Sequence, residues 1–109
     1  MSQTNKRLSD LVQQLIAEMV QRVVEFPDGL ITISFIDLSG DGQEAKIGVS
    51  VLPVKLYGTA LRQLRKKSVV IAQTIAKKCH LARVPKLIWL IDDTAELAAH
   101  LDKIMDQLS

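Results

Sequence analysis

Few side chains in this 109-residue sequence are of the types that carry covalent chemistry, and they are scattered. His80 and His100 fall on different elements, and neither has a nucleophile and an orienting carboxylate at a spacing that would serve it. Cys79, beside His80, is the only cysteine, so the sequence holds neither an internal disulfide nor a cysteine-rich zinc site, as in a protein of the reducing cytoplasm. It falls in an apolar stripe and is expected to be a small, inert core residue. Asp92 and Asp93 make a carboxylate pair, but Glu96 stands three residues after Asp93, the spacing of a helix capping box, and capping is the stronger reading. Gly40-Asp41-Gly42 lacks the lysine and the strand-to-helix context of a phosphate loop and is read as a hairpin turn. No catalytic site, metal site or cofactor is expected.

The residues that can act together are the cations. Lys46, Lys55, Arg62, Arg65, Lys66, Lys67, Lys77, Lys78, Arg83 and Lys86 lie in residues 46–91, a stretch without a single carboxylate. Residues 1–45 carry seven acids against Lys6, Arg7 and Arg22, and residues 92–109 carry five acids against Lys103. The net charge is only +2, but it is sorted along the chain, and the positive segment is where a polyanion would be drawn. Exposed lysines on a helix are usually no more than a solvated face. Here no acid is interleaved to form the usual i, i+4 pairs, and the cations span several elements that can merge on one side. Nucleic-acid binding is therefore the favoured reading, with Arg62, Arg65, Lys66, Lys67, Lys77, Lys78, Arg83 and Lys86 as phosphate contacts. Lys67 and Ser68 join them at a helix joint, where free backbone N–H groups would favour an anion. Only Phe26, Phe35, Tyr57 and Trp89 are aromatic, and the two on strands fall in phases that suggest burial. Base stacking on the sheet is not expected.

The elements that must position these side chains follow from periodicity. Leu8, Leu11, Val12, Leu15, Ile16, Met19 and Val23 mark a helix over about residues 5–25, stopped by Phe26-Pro27-Asp28-Gly29. Ile31, Ile33 and Phe35 alternate with Thr32, Ser34 and Ile36, and Ala45, Ile47, Val49 and Val51 alternate with Lys46, Gly48 and Ser50, on either side of the turn Ser39-Gly40-Asp41-Gly42-Gln43. This is an antiparallel hairpin closed by Pro53. Two helical stripes follow, Tyr57, Ala60, Leu61, Leu64 and then Ile71, Ala72, Ile75, Ala76, Cys79, with the pattern broken between Lys67 and Val70. Two helices, or one kinked helix, are expected there. Lys86-Leu87-Ile88-Trp89-Leu90-Ile91 reads as a third strand covered on both faces, with Trp89 in the core. A last helix, capped by Asp93 and Glu96, would bury Leu97, Leu101, Ile104, Met105 and Leu108. The expectation is one α+β domain over residues 1–109, with a three-stranded sheet packed against helices. No continuous apolar run could form a secretory signal or a membrane span.

Three motifs carry a family resemblance. The first is Ser39-Gly40-Asp41-Gly42-Gln43-Glu44-Ala45 running into a strand that ends Val49-Ser50-Val51. The second is Arg83-Val84-Pro85-Lys86-Leu87, a basic residue before V-P-x-L, and the third is Asp93-Thr94 after the last strand. In this order and at these separations they resemble the bacterial ribosome-binding factor A family, over nearly the whole chain. The resemblance implies a type II KH-like fold, α-β-β-α-kink-α-β. It also implies a non-enzymatic, cytoplasmic factor that binds the free or immature 30S subunit and 16S rRNA and assists late rRNA processing and maturation, notably in the cold. The expected partners include no membrane and no small-molecule substrate, and the chain is expected as a monomer. Where that family has a small A-x-G kink between its middle helices, this sequence reads Lys67-Ser68-Val69, and only the central serine agrees. The alternative is a protein-interaction module that recruits a partner through its sheet edge or last helix, without RNA.

Overall fold

Val12, Ile16 and Val20 recur every four residues and are buried, flanked by half-buried Leu8, Leu15, Met19 and Val23. They form the inner stripe of α1, Ser2–Val23. The helix stops short of Pro27, which restricts the residue before it, and the reversal at Gly29 leads into the sheet. This computed structural model describes residues 2–92, with side chains from residue 7 onward. The expected last helix, its cap at Asp93 and Glu96, and His100 lie outside the described residues.

Strands β1, Leu30–Leu38, and β2, Glu44–Leu52, form the antiparallel hairpin, and β3, Lys86–Ile91, joins β2 in parallel, giving the order β1-β2-β3. The hairpin loop holds itself closed. Ser39 Oγ donates to Asp41 Oδ1 at 2.7 Å and accepts from the Glu44 N–H at 3.0 Å, while the Gln43 N–H donates to the same carboxylate at 3.0 Å. Gly42 takes the left-handed conformation, φ 73°, that this turn requires.

Ala45, Ile47, Val49 and Val51 of β2 and Leu87 and Trp89 of β3 point to one face, where they meet α1 and the second long helix, α2, Tyr57–Lys78. A single 3₁₀ turn, Val54–Leu56, follows the cis Leu52–Pro53 bond and leads into α2. Sequence left two helices or one kinked helix open; the chain forms one helix, hydrogen-bonded without interruption through Lys67-Ser68-Val69. No glycine or proline stands between Thr59 and Lys78 to break it, and Ser68 donates back to the Leu64 carbonyl at 3.0 Å, a bond helices accommodate with at most a bend.

Two further expectations are corrected. A register shift between Ile33 and Phe35 inserts one residue into β1, so Ile36 and Leu38 take over the inner face and Phe35 turns outward, 40% exposed. Among the described residues, strand β3 is covered on one face only: Leu87 and Trp89 are buried, whereas Lys86 and Leu90 are exposed.

Candidate nucleic-acid interface

Helix α2 gathers most of the cations that sequence singled out. Its inner stripe, Ala60, Leu64, Ile71, Ala72, Ile75 and Ala76, is buried against the sheet. At about 100° per residue the opposite face carries Arg62, Lys66, Val69, Gln73 and Lys77, all exposed, in a row about 22 Å long. Arg65 is exposed on one flank of this row; Lys67, half-buried, and Lys78, exposed at the end of the helix, lie towards the other. Arg62 Nη2 donates to Thr59 Oγ1 at 3.3 Å, which directs the guanidinium along the helix. No acidic residue lies on α2. Val69, 65% exposed, and Val70, 49%, interrupt the basic row with an apolar step, at the place where the sequence shows only a broken apolar pattern.

The remaining candidates lie elsewhere. Lys86 opens β3 on the outer sheet face, where the parallel register sets it opposite Glu44; Lys46, on the same face, stands opposite Asp37. Acids from the negative N-terminal segment thus stand in register with the cations of the sheet, a juxtaposition that the one-dimensional charge pattern could not display. Arg83 sits in the α2–β3 connection, which shares a cleft with Leu8, Ser9 and the hairpin loop 38–42. Its charge is felt at Asp41, whose carboxyl is held below the usual carboxylate range chiefly by the Ser39 hydroxyl, then by the Gln43 N–H, with Arg83 a lesser influence.

Ser68 serves the core. Its hydroxyl accepts from Trp89 Nε1 at 2.6 Å while donating to the Leu64 carbonyl, and Trp89 is only 6% exposed. Because α2 is continuous at this point, its backbone N–H groups are spent within the helix and offer no anion site.

His80 ends α2. It holds φ 53°, its N–H donates to the Lys77 carbonyl and the Leu81 N–H donates to the Ala76 carbonyl at 2.9 Å, the bonding of a Schellman stop with histidine where glycine is usual. The Cys79 thiol beside it is half-buried, and burial pushes its pKa up, away from reactivity. Among the described residues no group of three His, Cys, Asp or Glu side chains is placed to hold a metal ion, and no helix is long and apolar enough to cross a membrane.

A three-stranded mixed sheet, backed on one face by helices and presenting a long basic helix, defines an α+β domain of the KH-like class. Within that class the chain belongs to the ribosome-binding factor A family, whose pattern it matches over residues 4–105. Ribosome-binding factor A of Natranaerobius thermophilus is 31% identical over 106 residues, covering 95% of this chain and 81% of that one. The Cupriavidus metallidurans protein is 33% identical over 104 residues, covering 94% and 84%. The crystal structure of ribosome-binding factor A from Thermus thermophilus superposes with a TM-score of 0.70 at 25% identity, covering 79% of this chain and 93% of that one. A homology model of the Thermus thermophilus protein, fitted into a cryo-EM map of a 30S–RbfA complex, gives 0.67 at 25% identity, covering 79% and 92%.

Proposed function

We propose that this chain is a ribosome-assembly factor that binds the free or immature 30S subunit through 16S rRNA and assists late rRNA processing, acting as a monomer in the cytoplasm without catalysing a reaction itself. The likeness to the Thermus thermophilus protein, placed in a 30S–RbfA complex, supports the partner. The observation that carries the surface is the acid-free outer face of α2. Arg62, Arg65, Lys66, Lys67, Lys77 and Lys78 are the contacts on this reading, with Lys86 and Arg83 at the margin because acids face or neighbour them. Ser68 drops out of the contact set, since its hydroxyl holds Trp89. Cations strung along a helix read the phosphate backbone and its path rather than base identity, so docking selects a shaped RNA surface. The exposed Val69 and Val70 favour a second reading for the middle of the same row, contact with a protein component of the particle.

Sedimentation of the tagged chain with fractionated ribosomal particles tests this reading. Enrichment on free or immature small subunits is expected, and Arg65→Ala, Lys66→Ala and Lys67→Ala together should abolish it while leaving the melting temperature nearly unchanged. Equal recovery of the triple variant would remove α2 from the interface.

A further inference from the structure

The basic outer face of α2 has an acidic counterpart. Residues 8–43 carry Asp10, Glu18, Glu25, Asp28, Asp37 and Asp41 against a single cation, Arg22, and all of these side chains are exposed. Helix α1 runs antiparallel along β1: Leu8 and Ser9 share a cleft with Leu38, while Val20, Gln21 and Val24 share one with Leu30 and Ile31. At about 100° per residue, Asp10, Gln14, Glu18, Gln21 and Glu25 occupy one sector of α1, and Arg22 falls outside it. Gln21 Nε2 donates to the Ile31 carbonyl at 3.2 Å, which sets that sector beside β1.

Strand β1 ends the sheet, and among the described residues no strand pairs with its outer edge. It is nine residues long and contains neither lysine nor proline, which commonly guard an exposed edge; only the shift between Ile33 and Phe35 interrupts it. Beside its first residues Val20, Val24, Phe26, Leu30 and Ile31 line a cleft of about 420 Å³. Glu25 lines it too, and shares a neighbouring cleft with Asp28. A free strand edge supplies backbone pairing, an apolar cleft holds a side-chain anchor, and a row of carboxylates selects charge; together they suit an extended cationic peptide.

We propose that the edge of β1 takes an extended protein segment rich in lysine or arginine. The segment adds a fourth strand to the sheet, sets one apolar side chain in the cleft at Phe26 and places its cations beside Glu18, Glu25 and Asp28. RNA is the wrong occupant by sign, since the same carboxylates repel phosphate. A second copy of this chain would bring identical acids to the edge, and like charges oppose that pairing. The source of the segment, though not the site, rests on the function proposed above: a protein that shares the same RNA must itself carry cations to bind it. The domain then holds polyanion on α2 and polycation on β1.

The probe is a synthetic peptide alternating lysine and valine, titrated into the full isotope-labelled chain. NMR amide shifts are expected over residues 30–38 and around Gln21 and Glu25, while the amides of Arg62, Lys66 and Gln73 stay in place. The same peptide methylated at every backbone nitrogen keeps its charge but cannot pair as a strand, and should bind at least about tenfold more weakly. Glu18→Lys, Glu25→Lys and Asp28→Lys together should weaken the unmethylated peptide by about tenfold or more. Absence of shifts in β1, or equal binding of the methylated peptide, would overturn the proposal. So would β1 shifts produced instead by a small-subunit rRNA oligonucleotide, or a dimer joined through β1 in the peptide-free chain. None of these results depends on co-sedimentation with small subunits, so failure of the site and failure of the ribosomal reading are told apart.

Discussion

The Trp89 indole N–H donates to Ser68 Oγ at 2.6 Å, tying β3 to the middle of α2 through the one tryptophan in the chain. The serine is thereby fixed twice, since it also donates to the Leu64 carbonyl, and the outward side of the same turn carries Lys66 and Val69. One helical turn thus carries both a side chain that secures the fold and cations of the proposed contact surface.

Ser68→Ala should therefore destabilise the fold without weakening RNA binding. It strands a buried indole N–H, at a cost of about 1–3 kcal/mol, partly offset by the better helix propensity of alanine. Urea denaturation followed by far-UV circular dichroism gives the loss in every variant. The double variant with Trp89→Phe should lose less than the sum of the singles, as expected for two partners in one bond.

Charge reversal should separate the two basic regions. Arg62→Glu, Lys66→Glu and Lys77→Glu together should weaken binding to small-subunit rRNA and flatten its salt dependence by roughly 0.7 log units per log unit of salt for each lost phosphate contact. Lys46→Glu should do much less, because Asp37 already stands opposite it. Filter binding across a salt series distinguishes them.

His80→Gly should stabilise the protein by about 0.5–1 kcal/mol, because glycine takes φ 53° without the steric cost a side chain incurs in the left-handed region. Thermal melting reads this directly. A loss of stability would mean that the imidazole makes a contact that outweighs the strain.

Asp41 should titrate below the ordinary carboxylate range, and Ser39→Ala should move it back up, since the Ser39 hydroxyl is the main cause of the shift. A carboxyl lowered in the folded state adds stability that is complete above its unfolded pKa and is lost as pH falls through the folded value. Carboxyl carbon shifts in an NMR titration of the two proteins would show the difference.

Much of the architecture was legible because local patterns fix it. The stripe through Val12, Ile16 and Val20 and the alternation through Ile47, Val49 and Val51 each bury one face, and the strand bounds match the spacing. What escaped depends on partners far away in sequence. The extra residue between Ile33 and Phe35 leaves the composition of β1 plausible in either phase, so simple alternation puts Phe35 in the core. The break in the apolar pattern at residues 67–70 looks like a break in the helix; its cause is a serine turned inward to meet Trp89, 21 residues on. Lys46 and Lys86 look isolated along the chain because the strand register alone sets Asp37 and Glu44 opposite them.

The parallel pairing of β2 with β3 places all of α2 between two neighbouring strands. A hairpin can close as soon as its own residues are available, but a parallel pair must wait for the whole crossover. During synthesis α1 and the hairpin emerge first, the basic helix next, and the strand that anchors it only after both. The basic face of α2 thus acquires a fixed shape only once β3 has formed, and a chain interrupted before Trp89 would carry the charges of α2 without the strand that holds it in register.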